Sequence, residues 1–243
     1  MKLVIGYLYS KLMNTYGDRG NIITIAQRCA WRSIDVDVKE IGLKEPIRSD
    51  IDLYFFGGGQ DQSQIICSKD LISTKKAALV EAAQSNITML LICGGYQLFG
   101  HYYRPKSGED IEGAGILDAF TIAGEARMIG NIVIELNKQL INNNPTTLVG
   151  FENHSGKTFL GKKTESLGRV IRGSGNNGED RTEGAYYKNV FGCYLHGPLL
   201  PKNPLFADFL IEKALSRKNK YFSLKELDNS LELETHNFVK NNL

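Results

Sequence analysis

The order of apolar and polar positions divides the chain into alternating strand and helix segments. Leu3-Val4-Ile5-Gly6-Tyr7-Leu8-Tyr9 is a short, mostly apolar run that predicts a first buried strand. A turn follows at Tyr16-Gly17-Asp18-Arg19-Gly20-Asn21, with Asn21 as the candidate helix cap. Ile22, Ile23, Ala26, Ala30 and Trp31 then recur at helical spacing. Ile34–Val38 alternates and reads as a second strand; Asp52–Phe56 reads as a third and runs directly into Gly57-Gly58-Gly59. A helix is expected over Leu71–Ser85, and then a further apolar run, Ile87–Ile92, meets Cys93-Gly94-Gly95 and continues as a helical segment. Strands alternating with helices predict parallel βαβ units. The fold class is therefore α/β, a central and mostly parallel sheet flanked by helices. Its chemistry belongs at the carboxyl ends of the strands.

The second half changes texture. Gly113–Asp118 and Ile132–Glu135 read as short strands and turns, and Leu148–Glu152 and Gly168–Ile171 as further strands. Asn142-Asn143-Asn144-Pro145 reads as a turn, and Ser174–Asp180 as an exposed, mobile polar loop. Asn189–Leu195 is a strand closed abruptly by His196-Gly197-Pro198. A helix over Leu205–Arg217 and a weakly amphipathic tail over 224–240 complete the pattern. With no internal repeat and no convincing linker, one domain over 1–243 is expected.

The strand ending at Cys93 carries the sharpest chemical signal. A strand that turns tightly into a helix with a nucleophile at the turn is a nucleophile elbow, and its neighbours must be small because the backbone is crowded there. The turn lifts the thiol out of the sheet and sets it at a helix N-terminus, where the dipole and free N–H groups favour the thiolate. A buried structural cysteine is the competing reading. Gly57-Gly58-Gly59 ends a neighbouring strand, and its N–H groups together with that of Gly94 could form an oxyanion hole. The alternative there is a plain flexible turn.

A cysteine nucleophile needs a base. His236 reads as a solvated tail residue, His101 as a surface residue, and His154 as a structural residue in a polar loop, with contact to substrate as its alternative. His196 differs, because it ends an apolar strand as Cys93 does, so the two can meet above one sheet edge.

Composition narrows the field further. A net charge of +2 with no long basic stripe argues against nucleic-acid binding. Cys29, Cys67, Cys93 and Cys193 form no CxxC pair, which weakens zinc and thioredoxin-type chemistry. No run approaches the ~20 apolar residues of a spanning helix, and the N-terminus does not read as a signal peptide. A reducing, cytoplasmic setting is expected, with the membrane reached only through a partner. Gly156-Lys157-Thr158 imitates the end of a phosphate-binding loop, but five residues, Phe-Glu-Asn-His-Ser, separate it from Gly150, where the motif requires about four small ones. A nucleotide site is rejected, so any ATP belongs to another chain.

Taken together, Gly57-Gly58-Gly59, Ile-Cys-Gly-Gly-Tyr-Gln at 92–97 and Tyr-Leu-His-Gly-Pro at 194–198 resemble the class I glutamine amidotransferases, in their cobyric-acid-synthase-like branch. Val149–His154, Gly113–Asp118 and Tyr194–Asn203 extend the resemblance to the GatD family of glutaminase subunits, over about residues 1–230. The resemblance implies hydrolysis of L-glutamine through a thioester on Cys93, with His196 as base and Gly58, Gly59 and Gly94 holding the oxyanion. It implies Arg127 and Gln97 as substrate-binding residues, with the guanidinium suited to the α-carboxylate. It further implies a heterodimer with a Mur-ligase-like partner, MurT. That partner would carry ATP and Mg and use the ammonia to amidate the D-glutamate α-carboxyl of lipid II to D-isoglutamine; no cofactor is expected in this chain. One departure matters. Class I enzymes usually carry a glutamate two residues after the histidine, and this chain has Pro198. Either a Cys–His dyad suffices or a carboxylate comes from elsewhere, including the partner. The rival readings are another cysteine hydrolase, of the PfpI type, and a catalytically silent scaffold subunit.

Overall fold

The computed structural model describes residues 1–140 and 147–242, so the turn expected at Asn142–Pro145 lies outside the described residues. The first half builds the expected parallel units. Strand β1 is Lys2–Leu8, helix α1 Arg19–Ala30, β2 Asp35–Ile41 and β3 Leu53–Phe56. Next come α2, Asp61–Asp70, and α3, Lys76–Gln84, joined by a π-helical turn over Leu71–Lys75. Strand β4, Thr88–Ile92, leads into the short α4, Gly94–Phe99. Every residue of β3 and β4 is buried, as strands covered on both faces must be.

The second half supplies β5 (Tyr102–Arg104), β6 (Ile111–Glu112), β7 (Ala119–Leu136) and β8 (Thr147–Leu160). Then follow β9 (Gly168–Arg172), β10 (Thr182–Glu183), β11 (Ala185–Tyr187) and β12 (Val190–Cys193). Helices α5, Pro204–Ser216, and α6, Ser230–Asn241, come last. Two sheets result. One has the order β11-β12-β4-β3-β1-β2; the other has β10-β9-β7-β5-β6, with β8 paired to β7. In the first sheet only β11 runs antiparallel to its neighbour.

This order creates the site. Strands β12, β4, β3 and β1 are consecutive neighbours and all parallel. Their carboxyl ends therefore release four loops side by side: the one carrying His196, the elbow at Cys93, the triple glycine, and the turn that enters α1. That is where parallel sheets build their sites.

Several expectations change. Asn21 does not cap α1; it is buried within the helix, and its Oδ1 accepts a hydrogen bond from Leu200 N at 2.9 Å. Asn14 reaches the helix start instead, its Oδ1 accepting from Arg19 N at 2.8 Å. The helix expected over Leu71–Ser85 is preceded by α2, whose sequence DQSQIICSKD has no apolar stripe and buries Gln64, Cys67, Ser68 and Asp70. Of the second-half segments, Ile132–Glu135 and Leu148–Glu152 belong to two long strands, β7 and β8, which pair antiparallel from Ala119↔Leu160 to Glu135↔Thr147, Gly168–Ile171 falls in β9 as expected, and Gly113–Asp118 forms no strand. The Ser174–Asp180 loop is not an exposed coil. Asn176 and Asn177 are buried, and the carboxylate of Glu152 accepts from the N–H groups of Ser174 and Gly175. Gly156-Lys157-Thr158 lies inside β8, opposite Thr121–Ala123 of β7, and opens no helix.

Candidate active site

Cys93 sits at the corner between β4 and α4 with φ of 51° and ψ of −104°. A non-glycine residue in such a conformation stores about 1–3 kcal/mol and persists only where its surroundings fix it. Here they do. Cys93 N donates to Cys193 O at 2.8 Å, Gln97 N donates to Cys93 O at 2.9 Å, and Gly95 N donates to Gly57 O at 3.1 Å. The elbow is thus bonded on both sides to neighbouring strand ends. Gly95 must lack a side chain, since a Cβ there would lie 2.5 Å from Phe56 O.

His196 follows β12 and is bonded to β8: its N–H donates to Phe151 O at 2.9 Å, and Phe151 N donates back to His196 O at 3.2 Å. The ring is buried. Gly58 lies between the two side chains, for a Cβ on it would be 3.1 Å from His196 Cε1 and 3.3 Å from Cys93 Cβ. The structure therefore brings together the cysteine and histidine singled out from sequence. Tyr16 packs edge-on against the imidazole, ring centroids 4.9 Å apart.

A carboxylate also stands on that imidazole. Asp18, fully buried at the start of α1, places Oδ1 3.1 Å from His196 Nδ1, while its Oδ2 accepts from Gly58 N at 2.7 Å. The acid missing at Pro198 is thus present in the same chain, from the opposite end of the sequence. Pro198 itself packs on α1, at 2.4 Å from the position of a Cβ on Gly20. Burial alone would lower the His196 pKa. The Cys93 thiolate and the Asp18 carboxylate outweigh it and push the imidazole up to about 10. The charged imidazolium is thus the form that these two neighbours favour. Helix α4 adds less than expected, because six residues make a small dipole.

The bond from Gly58 revises the expected oxyanion hole. Its N–H is committed to Asp18, so in this conformation Gly58 is not available to a substrate oxygen. Gly59 and Gly94 adjoin, a Cβ on Gly94 falling 3.1 Å from Gly59 N, and both border the thiol loop.

Cys93, His196, Gly58, Gly59, Gln97 and Arg127 all line one cleft. Arg127 reaches it through an irregularity in β7. Between Ala123 and Met128 the pairing with β8 breaks, and such a bulge re-aims side chains. The guanidinium bonds Asn153 through Nε, and its Nη2 donates to Tyr16 OH at 3.0 Å. Gln97 is buried; its Nε2 donates to Tyr194 OH at 3.1 Å and its Oε1 accepts from Gln64 Nε2 at 3.1 Å.

The other histidines differ from expectation in part. His101 is exposed and pairs with Asp118, as a surface residue does. His236 is buried rather than solvated, bonded to Thr147 Oγ1 and Lys202 O, both at 2.8 Å. His154 lies on β8 rather than in a loop, is buried, and lines the same cleft. Among the described residues no cluster of three or more His, Cys, Asp or Glu could hold a metal, and no helix is long and apolar enough to cross a membrane.

Known proteins resemble this chain in sequence and in fold. Over 234 residues the chain is 45% identical to the lipid II isoglutaminyl synthase (glutamine-hydrolyzing) subunit GatD of Staphylococcus aureus, covering 96% of this chain and 93% of that protein. It is 42% identical over 219 residues to the subunit of the same name from Streptococcus pneumoniae, covering 89% and 82% of the two chains. A glutamine amidotransferase structure from Thermotoga maritima superposes with a TM-score of 0.56 at 15% identity, over 98% of this chain and 92% of that one, and so shares the fold. The model of the CobB/CobQ-like glutamine amidotransferase domain matches residues 4–204, from the first strand through the elbow to the segment after His196. On that match, and on the relatives that share nearly its whole length, the chain belongs to the CobB/CobQ-like glutamine amidotransferase family.

Proposed function

We propose that this chain is the glutamine-hydrolysing subunit of a lipid II isoglutaminyl synthase, and that Cys93 is its nucleophile. The observation that carries the reading is the meeting of Cys93 and His196 across Gly58, in a chain so similar to subunits named for that activity.

The chemistry follows from the ion pair. The Cys93 thiolate attacks the side-chain amide carbon of L-glutamine, and the carbonyl oxygen becomes an oxyanion facing the N–H groups of Gly59 and Gly94. The C–N bond breaks as the imidazolium of His196 gives its proton to the departing nitrogen, leaving ammonia and a γ-glutamyl thioester. His196, now neutral, takes a proton from water, whose oxygen attacks the thioester. Glutamate leaves and the thiolate is restored. Asp18 orients the ring and stabilises its charged form. Arg127 takes the α-carboxylate by a bidentate pair, and Gln97 helps hold the substrate.

Ammonia free in water at neutral pH is mostly protonated and no longer nucleophilic, so the product needs a protected passage to its user. That user is a Mur-ligase-like partner, MurT, in a heterodimer. The partner supplies ATP and Mg chemistry and amidates the D-glutamate α-carboxyl of lipid II. The chain meets the membrane-bound acceptor only through this partner.

The test is glutamate release from L-glutamine, and amidation of lipid II by the paired subunits with glutamine or with ammonium as donor. Cys93→Ala is expected to abolish glutamate release and glutamine-dependent amidation while sparing the ammonium-dependent reaction. Glutamine-dependent product from the Cys93→Ala pair would overturn the reading in favour of a scaffold.

A further inference from the structure

Glu183 is fully buried, yet the catalytic scheme does not use it. Its Oε1 accepts from Tyr194 N at 2.6 Å, and its Oε2 has no hydrogen-bond partner among the described residues. A buried carboxyl with one oxygen unsatisfied is costly, and such a group needs a reason.

The reason lies in the peptide it bonds. Strands β11 and β12 pair antiparallel from Tyr187↔Val190 to Ala185↔Gly192. Just before that ladder the chain takes a left-handed turn at Gly184, with φ of 62°, where a Cβ would lie 2.4 Å from Gly192 O. The next donor beyond the ladder, the N–H of Tyr194, is met by the Glu183 side chain. The other face of that peptide group is the Cys193 carbonyl, whose oxygen accepts from Cys93 N at 2.8 Å. One peptide group therefore has the Glu183 carboxyl on its N–H and the backbone of the nucleophile on its C=O. Two residues further on, the same strand end delivers His196. Hydrogen bonds in series polarise one another, so an acceptor on the N–H strengthens the bond at the carbonyl. That bond is one of those holding Cys93 at its φ of 51°, a conformation that persists only where the surroundings over-determine it.

Glu183 is itself held in place. Asn176 Oδ1 accepts from Gly184 N, and its Nδ2 donates to Gly184 O and to Thr182 Oγ1, all at 3.0 Å. The same Oδ1 accepts from Tyr96 OH at 3.2 Å, and Tyr96 lies on α4, directly after the elbow. The chain of bonds thus returns to the segment that it supports.

We propose that Glu183 is a positioning residue for Cys93, acting through the Cys193–Tyr194 peptide to fix the elbow and the strand end that presents His196. The inference rests on the glutaminase reading and adds to it an acid that does not line the cleft. The site needs from it an acceptor at Oε1, not a charge. Burial pushes the carboxyl up to about 8, so near pH 7 it is mostly protonated, and a glutamine side chain reproduces both its shape and its acceptor.

Two measurements test this: steady-state glutamine hydrolysis by the full chain paired with its partner, and the rate at which iodoacetamide alkylates Cys93 without glutamine. Glu183→Leu is expected to lower kcat by about tenfold or more with KM nearly unchanged, and to slow the alkylation. Glu183→Gln, which keeps the acceptor, should hold both rates within about twofold of the native chain. A merely structural Glu183 would lower the melting temperature and leave both rates per folded chain untouched; that result overturns the proposal. Equal losses in the Gln and Leu variants overturn it too, as does a change confined to KM. If Glu183→Leu lacks a native melting transition, Glu183→Asp, one methylene shorter and drawn back from Tyr194 N, carries the same comparison with the same expected and contrary results. A native pair that releases no glutamate overturns the glutaminase reading and this inference with it, whereas the variant results bear on Glu183 alone.

Discussion

Asp18 and His196 lie 178 residues apart in the chain and 3.1 Å apart in the fold, carboxylate Oδ1 to imidazole Nδ1. The other Asp18 oxygen accepts from Gly58 N, so one buried carboxylate fixes both the imidazole and the glycine loop beside the thiol. Asp18→Asn is expected to lower kcat for glutamine hydrolysis by about a hundredfold or more, with a small change in KM. A purely structural Asp18 would not move the pH profile. A positioning Asp18 would: without its charge the His196 imidazolium is less favoured, so the alkaline limb of kcat shifts to lower pH. Measuring kcat against pH for both chains checks this, and an unshifted limb counts against the role.

Arg127 reaches the cleft only because β7 breaks its pairing with β8 between Ala123 and Met128. Its guanidinium is held by Asn153 and Tyr16 before any ligand arrives, which limits the entropy lost on binding. Arg127→Ala is expected to raise KM for L-glutamine by about 10- to 100-fold, the worth of a charge-assisted bidentate pair, with a smaller loss in kcat. Arg127→Lys should recover little of it, since an ammonium cannot reproduce the planar fork. Steady-state glutaminase assays of the two variants provide the check.

Glu183 is fully buried beside the strand that leads to His196, and its Oε1 accepts from Tyr194 N at 2.6 Å. Burial pushes its carboxyl pKa up to about 8. A carboxyl raised on folding disfavours the native state as it ionises, so its contribution is most favourable below the unfolded value and is lost as pH rises toward about 8. The slope cannot exceed about 1.4 kcal/mol per pH unit from this one group. Glu183→Gln removes the titration. Between pH 5 and pH 8, the variant's stability in denaturant titrations is therefore expected to fall less than that of the native chain. Parallel pH profiles would refute the assignment.

The parts of the site readable from sequence were those whose chemistry adjoins an apolar strand. Cys93, the triple glycine and His196 each end such a run, and strand ends of a parallel sheet converge. Asp18 ends no such run. It lies ten residues beyond the end of β1, in a turn whose packing on His196 depends on the neighbouring order of β1, β3, β4 and β12. His154 and Gln64 line the cleft on elements that the sequence pattern does not predict, for a different reason. Strand β8 continues through Glu152, Asn153, His154 and Ser155 because β7 pairs with it, not because its residues alternate cleanly. Helix α2 buries glutamine, cysteine, serine and aspartate instead of an apolar stripe. Both elements are set by tertiary pairing and by polar networks, which hydrophobic periodicity does not register. His236 and the Asn176–Asn177 loop follow the same rule: polar composition predicts solvent exposure, whereas hydrogen bonds satisfy these residues inside.

The proposed reaction runs through one sulfur, that of Cys93, attacking the amide carbon of glutamine. Burial raises the thiols of Cys29 and Cys67 to about 12 and that of Cys193 well above its ordinary value, so these three stay protonated and shielded. The most direct measurement is peptide mapping by mass spectrometry after exposure to a diazoketone analogue of L-glutamine. One adduct is expected, on Cys93, suppressed by excess L-glutamine and absent from His196→Ala at neutral pH. An unmodified Cys93, or labelling spread over the other cysteines and indifferent to L-glutamine, would contradict it.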